Sequence, residues 1–278
     1  MLRARLNSVI ADGKSFDTFS KIVRIVSKIC RKMCVIRLTA NEFSFVNARN
    51  AREGFSLDLR IDQKELFTSY SLESDSQTVD AIFFEIQTDD LVYSTSMQDT
   101  LVEIKLLGKD LIPHLVVELK TRGLIHEIPV NLIQKHNWQD YDPPIVGIPS
   151  VGFFLPPLKV FYKIFSSIKN IGSKSITFKA NNNGELWLNG VMDQARMEIF
   201  VRDLVNVAIP GGNSQEMYGA DEFFEVQLDL RVLYSFLSHL HVLFSKLLLK
   251  IVHGRTAIFS AKERDCQFHF YVNGLFEA

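Results

Sequence analysis

Cysteine is nearly absent from this chain of 278 residues: Cys30, Cys34 and Cys266 are all it has. An odd count, with two of the three at one helix end, excludes a disulfide framework and fits a reducing compartment. Cys30 and Cys34 stand at i and i+4 with no histidine or further cysteine nearby, so burial explains them better than zinc ligation. An excess of charge is missing as well. Lys and Arg number 31 against 32 Asp and Glu, a net charge of -1. The chain therefore does not coat nucleic acid as a polycation does, and any contact with DNA has to come from where the charges lie. No apolar run approaches the ~20 residues of a membrane-spanning helix. The densest candidate, 240–252, is interrupted by His241, Ser245, Lys246 and Lys250. Residues 1–14 carry Arg3 and Arg5 without the apolar region or the cleavage site of a secretory signal. A soluble intracellular protein is expected.

Catalytic signatures are lacking too. Gly13-Lys14-Ser15 matches the end of a phosphate-binding loop, but that motif needs glycine five positions earlier, where Ser8 stands. No Gly-x-Ser-x-Gly elbow and no His-Glu-x-x-His helix occurs. His239, His241 and His253 have no acidic partners brought to them by the sequence and read as strand or surface residues. Asp89 and Asp90 fit a first helical turn, where the helix dipole favours them. No catalytic residue, metal site or cofactor is expected.

What the sequence does have is amphipathic periodicity. Over 15–32, SFDTFSKIVRIVSKICRK, Phe16, Phe19, Ile22, Val23, Val26, Ile29 and Cys30 share one stripe of a helical wheel. Lys21, Arg24, Lys28, Arg31 and Lys32 gather on the opposite side. Asp12 or Ser15 caps the start, and Gly13 marks a break before it. A basic stripe alone reads as a solvated face; here the pattern comes back.

A strand over 2–10 precedes this helix. After it come a hairpin over 34–46, an alternating strand over 55–61, a weaker one over 67–72 and a polar loop over 74–80. A strand over 82–87, a short helix over 89–97 and strands over 101–107, 111–120 and 124–132 complete a β-rich half. Residues 134–150, QKHNWQDYDPPIVGIPS, hold Pro143, Pro144, Gly147 and Pro149. They support neither a helix nor a central strand and read as an extended connector.

Beyond the connector the order repeats. A strand over 151–155 leads through Pro156 and Pro157 into a helix over 158–171. That helix is expected to bury Leu158, Val160, Phe161, Ile164, Phe165, Ile168 and Ile171, leaving Lys159, Lys163, Ser166 and Asn170 outside. A hairpin over 175–189 turns at 181–184; a strand over 196–201 and a Gly-rich loop over 207–220 follow. Phe223-Phe224-Glu225-Val226-Gln227 then echoes Phe83-Phe84-Glu85-Ile86-Gln87, 140 residues on, each leading into a short helix. Strands over 243–252, 255–261 and 266–272 close the chain. One element order written twice is an internal duplication. The expectation is an α+β chain with domains over 1–133 and 151–278, joined by the connector 134–150.

Duplicated α+β halves put equivalent helices on one side of a curved sheet. Their basic stripes then sum to a positive surface suited to phosphates and blind to bases. Lys21, Arg24, Lys28, Arg31, Lys159 and Lys163 supply it, with Arg231 alone from the last helix, while the helix over 89–97 carries no Lys or Arg. So uneven a distribution suits loose tracking along a duplex better than a tight grip.

Three stretches carry a resemblance: IHEIPVNLIQKHNW over 125–138, FFLPPLKVFYKIFSSIKNIGSKSITFKANNNGELWL over 153–188, and the start RARL followed by DG. They resemble the Hus subunit of the heterotrimeric checkpoint sliding clamp, the nine-one-one complex. The resemblance covers nearly the whole chain in order. It departs in a few extra residues between Arg5 and Asp12 and in the tail 273–278.

The resemblance implies a sliding-clamp fold, two similar domains with helices on the inner face and antiparallel sheets outside. It implies a noncatalytic chain that joins two other clamp subunits in a heterotrimeric ring around double-stranded DNA, without reading its sequence. Such a ring acts in the nucleus in the DNA-damage checkpoint and in DNA repair, is opened by an ATP-dependent clamp loader, collects checkpoint and repair proteins, and has no use for a membrane. Neighbours are expected to add strands at 115–120, through Leu115, Val117 and Leu119, and at 196–201, through Arg196, Glu198 and Phe200. Trp138, Tyr141, Pro144 and Ile145 are expected to border a pocket for client peptides. The rivals are a homotrimeric replication processivity clamp and an α+β enzyme with an unmarked site, which a deep pocket holding two or more titratable groups favours.

Overall fold

The computed structural model describes residues 4–47, 54–74, 80–109, 112–192, 196–209, 219–264 and 266–275. The chain divides into two compact units. One comprises Met1–Ala48, Asp58–Asp142 and Arg264–Gln267; the other comprises Arg49–Leu57, Pro143–Glu263 and Phe268–Ala278.

The first unit opens with β1 (Ala4–Ile10) and α1 (Gly13–Cys30). Gly13 is the first residue of the helix and not a break before it, because Asp12 is the cap. Its carboxylate accepts the N–H groups of Lys14 at 3.1 Å and Ser15 at 3.0 Å, two of the donors a helix start leaves without partners. Those backbone bonds hold the Asp12 carboxyl below the usual carboxylate range. The helix ends at Arg31, whose φ of 56° lies in the left-handed region glycine usually takes.

Next come β2 (Met33–Leu38), β3 (Glu42–Val46), β4 (Phe55–Asp62), the short α2 (Gln63–Leu66) and β5 (Ser69–Ser74). Then follow β6 (Ile82–Gln87), α3 (Thr88–Ser94), β7 (Val102–Lys109), β8 (Ile112–Leu119), β9 (Leu124–Pro129) and β10 (Asn131–Leu132). One antiparallel sheet runs β5-β1-β7-β8-β9, and β10-β6-β2-β3-β4 lie side by side in another. β9 ends at Pro129, one residue before Val130, whose N–H still bonds the Pro113 carbonyl at 2.9 Å. The chain then crosses to the other sheet, where Asn131 and Leu132 pair with Glu85 and Phe84. On α1, Phe16, Phe19, Ile22, Val23, Val26 and Ile29 are all buried. Phe19 meets Phe43 edge-on at 5.6 Å between ring centres, and burying each such ring contributes about 1.5–3 kcal/mol.

The second unit runs β11 (Val151–Phe154), α4 (Leu158–Asn170), β12 (Ser175–Ala180), β13 (Leu186–Val191) and β14 (Arg196–Val201). It continues with β15 (Phe224–Asp229), α5 (Leu230–Leu240), β16 (Leu248–Val252), β17 (Thr256–Glu263) and β18 (Cys266–Asn273). Its sheet orders are β14-β13-β12-β15 and β11-β16-β17-β18. The first unit's β4-β3-β2-β6 and β1-β7-β8-β9 have the same connectivity, so one plan is built twice. The hairpin between β12 and β13 turns at Gly184, where φ is 78° and the Leu204 carbonyl sits where a side chain would start.

Three expectations need correcting. On α4 only Leu158, Phe161, Phe165 and Ile168 are buried; Val160 is 51% exposed, because a residue two places from Leu158 points to the far side of a helix, and Ile164 and Ile171 are half-buried. The connector holds a 3₁₀ segment over Lys135–Tyr141, which fits because its prolines, Pro143 and Pro144, follow it. The strand expected over 243–252 begins at Leu248, since α5 runs on to Leu240 and 241–243 form its exit turn. Of the loops expected over 74–80 and 207–220, residues 75–79 and 210–218 lie outside the described residues, as do 276–278 of the tail.

Candidate nucleic-acid interface

The sheet side of α1 is fully committed to the core, which leaves its charged side to solvent. Arg24, Lys28 and Arg31 are exposed and make no ion pair among the described residues. Lys21, 41% exposed, is paired one turn back with Asp17 at 2.5 Å, so part of its charge is offset. On α4, Lys159 and Lys163 are exposed and likewise in no ion pair among the described residues. Arg231 is the weaker contributor. Its guanidinium bonds the Asp229 carboxylate at 2.8 and 3.3 Å, and that carboxylate also caps α5 through the Arg231 N–H at 2.7 Å. Burial pushes the Asp229 carboxyl up, but the Arg231 bonds outweigh it and hold the group below the usual carboxylate range. On α3 the exposed first-turn charges are Asp89 and Asp90. Of the expected cations, those exposed and in no ion pair among the described residues are Arg24, Lys28 and Arg31 in one unit and Lys159 and Lys163 in the other.

The sheet edges differ from expectation at one end. β8 pairs with β7 on one side and β9 on the other, and Leu115, Val117 and Leu119 are 0% exposed. A strand with both ladders filled cannot take a third, so strand addition at 115–120 is ruled out. The edge is β9, where Leu124 is 38% and Ile125 60% exposed. Beside it Tyr93 of α3 meets His126 edge-on at 5.5 Å. In the other unit β14 is an edge as expected, with Arg196, Glu198 and Phe200 exposed. Arg196 and Glu198 pair at 2.5 Å, and the Phe200 ring lies 4.5 Å from that of Trp187.

The connector's aromatics are already in use. Trp138 stacks on Phe83 with ring centres 4.9 Å apart and donates its indole N–H to the Ile133 carbonyl at 2.9 Å. Tyr141 lies 6.1 Å from Phe83, and both cover the buried Val35 and Val46. Burial, then the charges of Glu85 and Asp140, push the Tyr141 hydroxyl up. Trp138 and Tyr141 therefore cap an apolar patch rather than border an empty pocket. Pro144 is half-buried and Ile145 is 92% exposed.

Among the described residues, the charged side chains Asp99 and Arg122 around the start of α1 are engaged in turns. A cavity of about 350 Å³ at the start of α1 is lined by Gly13, Gln98, Asp99, Thr100, Thr121 and Arg122. Asp99 accepts the Leu101 N–H at 3.0 Å and the Thr121 hydroxyl at 2.5 Å, and Arg122 donates to the Gln98 carbonyl at 2.8 Å. Both charges hold turns together. His253 accepts the Glu225 N–H at 3.0 Å and His239 bonds Ser238 at 2.6 Å. Among the described residues no three His, Cys, Asp or Glu converge on a metal site, and no helix is long and apolar enough to cross a membrane.

Comparison with known proteins agrees with this geometry. The model of the family described as Hus1-like protein matches residues 2–275. Checkpoint protein HUS1 of Homo sapiens is 26% identical over 281 residues, covering 98% of this chain and 99% of that protein. Checkpoint protein Hus1-like of Drosophila melanogaster is 23% identical over 195 residues, 66% of this chain and 69% of the other. Among solved structures, Proliferating Cellular Nuclear Antigen from Entamoeba histolytica superposes with a TM-score of 0.69 at 14% identity, over 98% of this chain and 99% of that one. A PCNA2–PCNA3 complex from Sulfolobus tokodaii gives a TM-score of 0.65 at 15% identity, over 96% and 98%. The fold is that of the sliding clamps, and the chain belongs to the Hus1-like family.

Proposed function

We propose that the chain is a noncatalytic subunit of a heterotrimeric ring that encircles double-stranded DNA and serves as a DNA-damage checkpoint clamp in the nucleus. One observation supports this most: the same strand order occurs twice, and the first helix of each copy carries exposed cations. Exposed cations contribute only about 0.2–1 kcal/mol each to an ionic contact, so phosphates exchange readily and the ring slides. Closure, not adhesion, keeps it on DNA. Two of the edge strands differ in chemistry, Leu124 and Ile125 on β9 against the Arg196–Glu198 pair on β14. A head-to-tail ring joins two different edges whether its subunits are alike or not, so it is the family that favours unlike neighbours here. Opening such a ring falls to a separate ATP-dependent loader, and checkpoint and repair proteins dock outside. Reversing Lys21, Arg24 and Lys28 to Glu tests the reading. The expected outcome is a normally folded chain whose ring associates more weakly with DNA, with a salt slope smaller by about one for each phosphate no longer neutralised. An unchanged salt dependence contradicts it.

A further inference from the structure

The seam between α4 and α5 holds a feature that the first unit lacks. Tyr162 of α4 and Tyr234 of α5 bring their hydroxyls to 2.7 Å, with ring centres 5.4 Å apart. Both rings are half-buried. The buried Leu158, Phe161, Phe165 and Ile168 of α4 repeat the spacing of Phe16, Phe19, Val23 and Val26 on α1, which sets Ser20 level with Tyr162. Ser20 is buried and gives its hydroxyl to the Thr95 carbonyl. The first unit thus closes the matching seam with a small side chain that faces nothing outside.

Lys159, Tyr162, Lys163, Ser166 and Lys169 fall at i, i+3, i+4, i+7 and i+10, one face of the helix. The Lys169 ammonium lies 3.8 Å from the centre of the Tyr234 ring, a cation–π contact that holds a third positive charge beside the hydroxyls. The bond to Tyr234 pushes the Tyr162 pKa up, so that hydroxyl keeps its proton at neutral pH. With Ser166 giving its hydroxyl to Tyr162, the two tyrosines share one proton in their own bond and keep the other to donate outward. A phosphodiester oxygen is anionic and only accepts, which matches one free donor among three ammonium groups.

We propose that the Tyr162–Tyr234 hydroxyl pair, flanked by Lys159, Lys163 and Lys169, is a DNA-backbone contact site of the second unit, holding a phosphate by a neutral donor set among ammonium groups. It rests on the reading of the helix faces as DNA-facing. The test measures binding of the full chain to a fluorescent duplex oligonucleotide across a salt series. Tyr162→Phe with Tyr234→Phe keeps both rings and the Lys169 contact; it is expected to weaken binding about three- to tenfold, the worth of one hydrogen bond, with the salt slope unchanged. Lys159→Ala with Lys163→Ala is expected to lower the slope by about two. The single change Tyr234→Phe gives the same reading should the double variant fold poorly. Wild-type affinity in the Phe variants beside a lowered slope in the lysine variant overturns the proposal and leaves the helix-face reading standing. Wild-type affinity and slope in every variant overturn both.

Discussion

Asp12 shows how one side chain sets where the main helix begins. Its carboxylate is held below the usual range by the Lys14 and Ser15 bonds. A group whose folded pKa is depressed contributes stability above its unfolded value, about 3.9 for Asp, and loses it as pH falls through the folded value. Asp12→Ala is therefore expected to lower Tm at neutral pH, with the gap to wild type closing in acid below about pH 4. A gap that stays constant down to the acid end shows that the cap contributes nothing through its charge. The positions of Arg24, Lys28, Lys159 and Lys163 were legible in the sequence, because helical spacing alone puts them opposite the apolar stripe. The pairing of Arg231 with Asp229 was not, since it depends on the strand end placing a carboxylate two residues before the guanidinium. The tyrosine pair was equally hidden: its partners are far apart in sequence, and no local period brings them together.

Elements were legible wherever a period runs long enough. Both first helices, the hairpins and the echo between β6 and β15 follow from it, and so does the element order shared by the two halves. Which strand of β7, β8 and β9 forms the edge was not legible, because all three are apolar enough to sit inside a sheet. Edge status depends on pairing, which a strand's own sequence does not encode. Two changes separate the alternatives. Ile125→Asp on β9 is expected to leave the chain folded and block ring assembly, whereas Val117→Asp on β8, fully buried, is expected to unfold the first unit. A folded Val117→Asp chain that fails only in assembly would restore β8 as the interface. The connector follows the same logic. Proline content argued against a helix there, but it acts only from Pro143 onward, and Trp138 has a stack and a hydrogen bond to hold the segment before it. Trp138→Ala is expected to cost about 1–3 kcal/mol in that segment. Hydrogen exchange should then speed up over 133–142 and not in α1; equal protection in both variants counts against the stack as its anchor.

At the scale of the whole molecule, one strand order is written twice. A helix with one apolar side must bury it on a sheet, and the side left over carries whatever the sequence puts there. Here that is positive charge, once in each copy. Because the separate contacts are weak, a ring of such units is expected to stay on DNA by enclosure alone. Family and fold place the chain among clamp subunits, and β9 and β14 are the edges at which neighbours are expected to add strands.

The most direct test loads the assembled ring onto circular duplex DNA, washes it at high salt and then cuts the circle once. A ring held by enclosure is predicted to survive the wash, which screens phosphate contacts, and to leave when the DNA gains an end. Release during the wash, or retention after the cut, contradicts it.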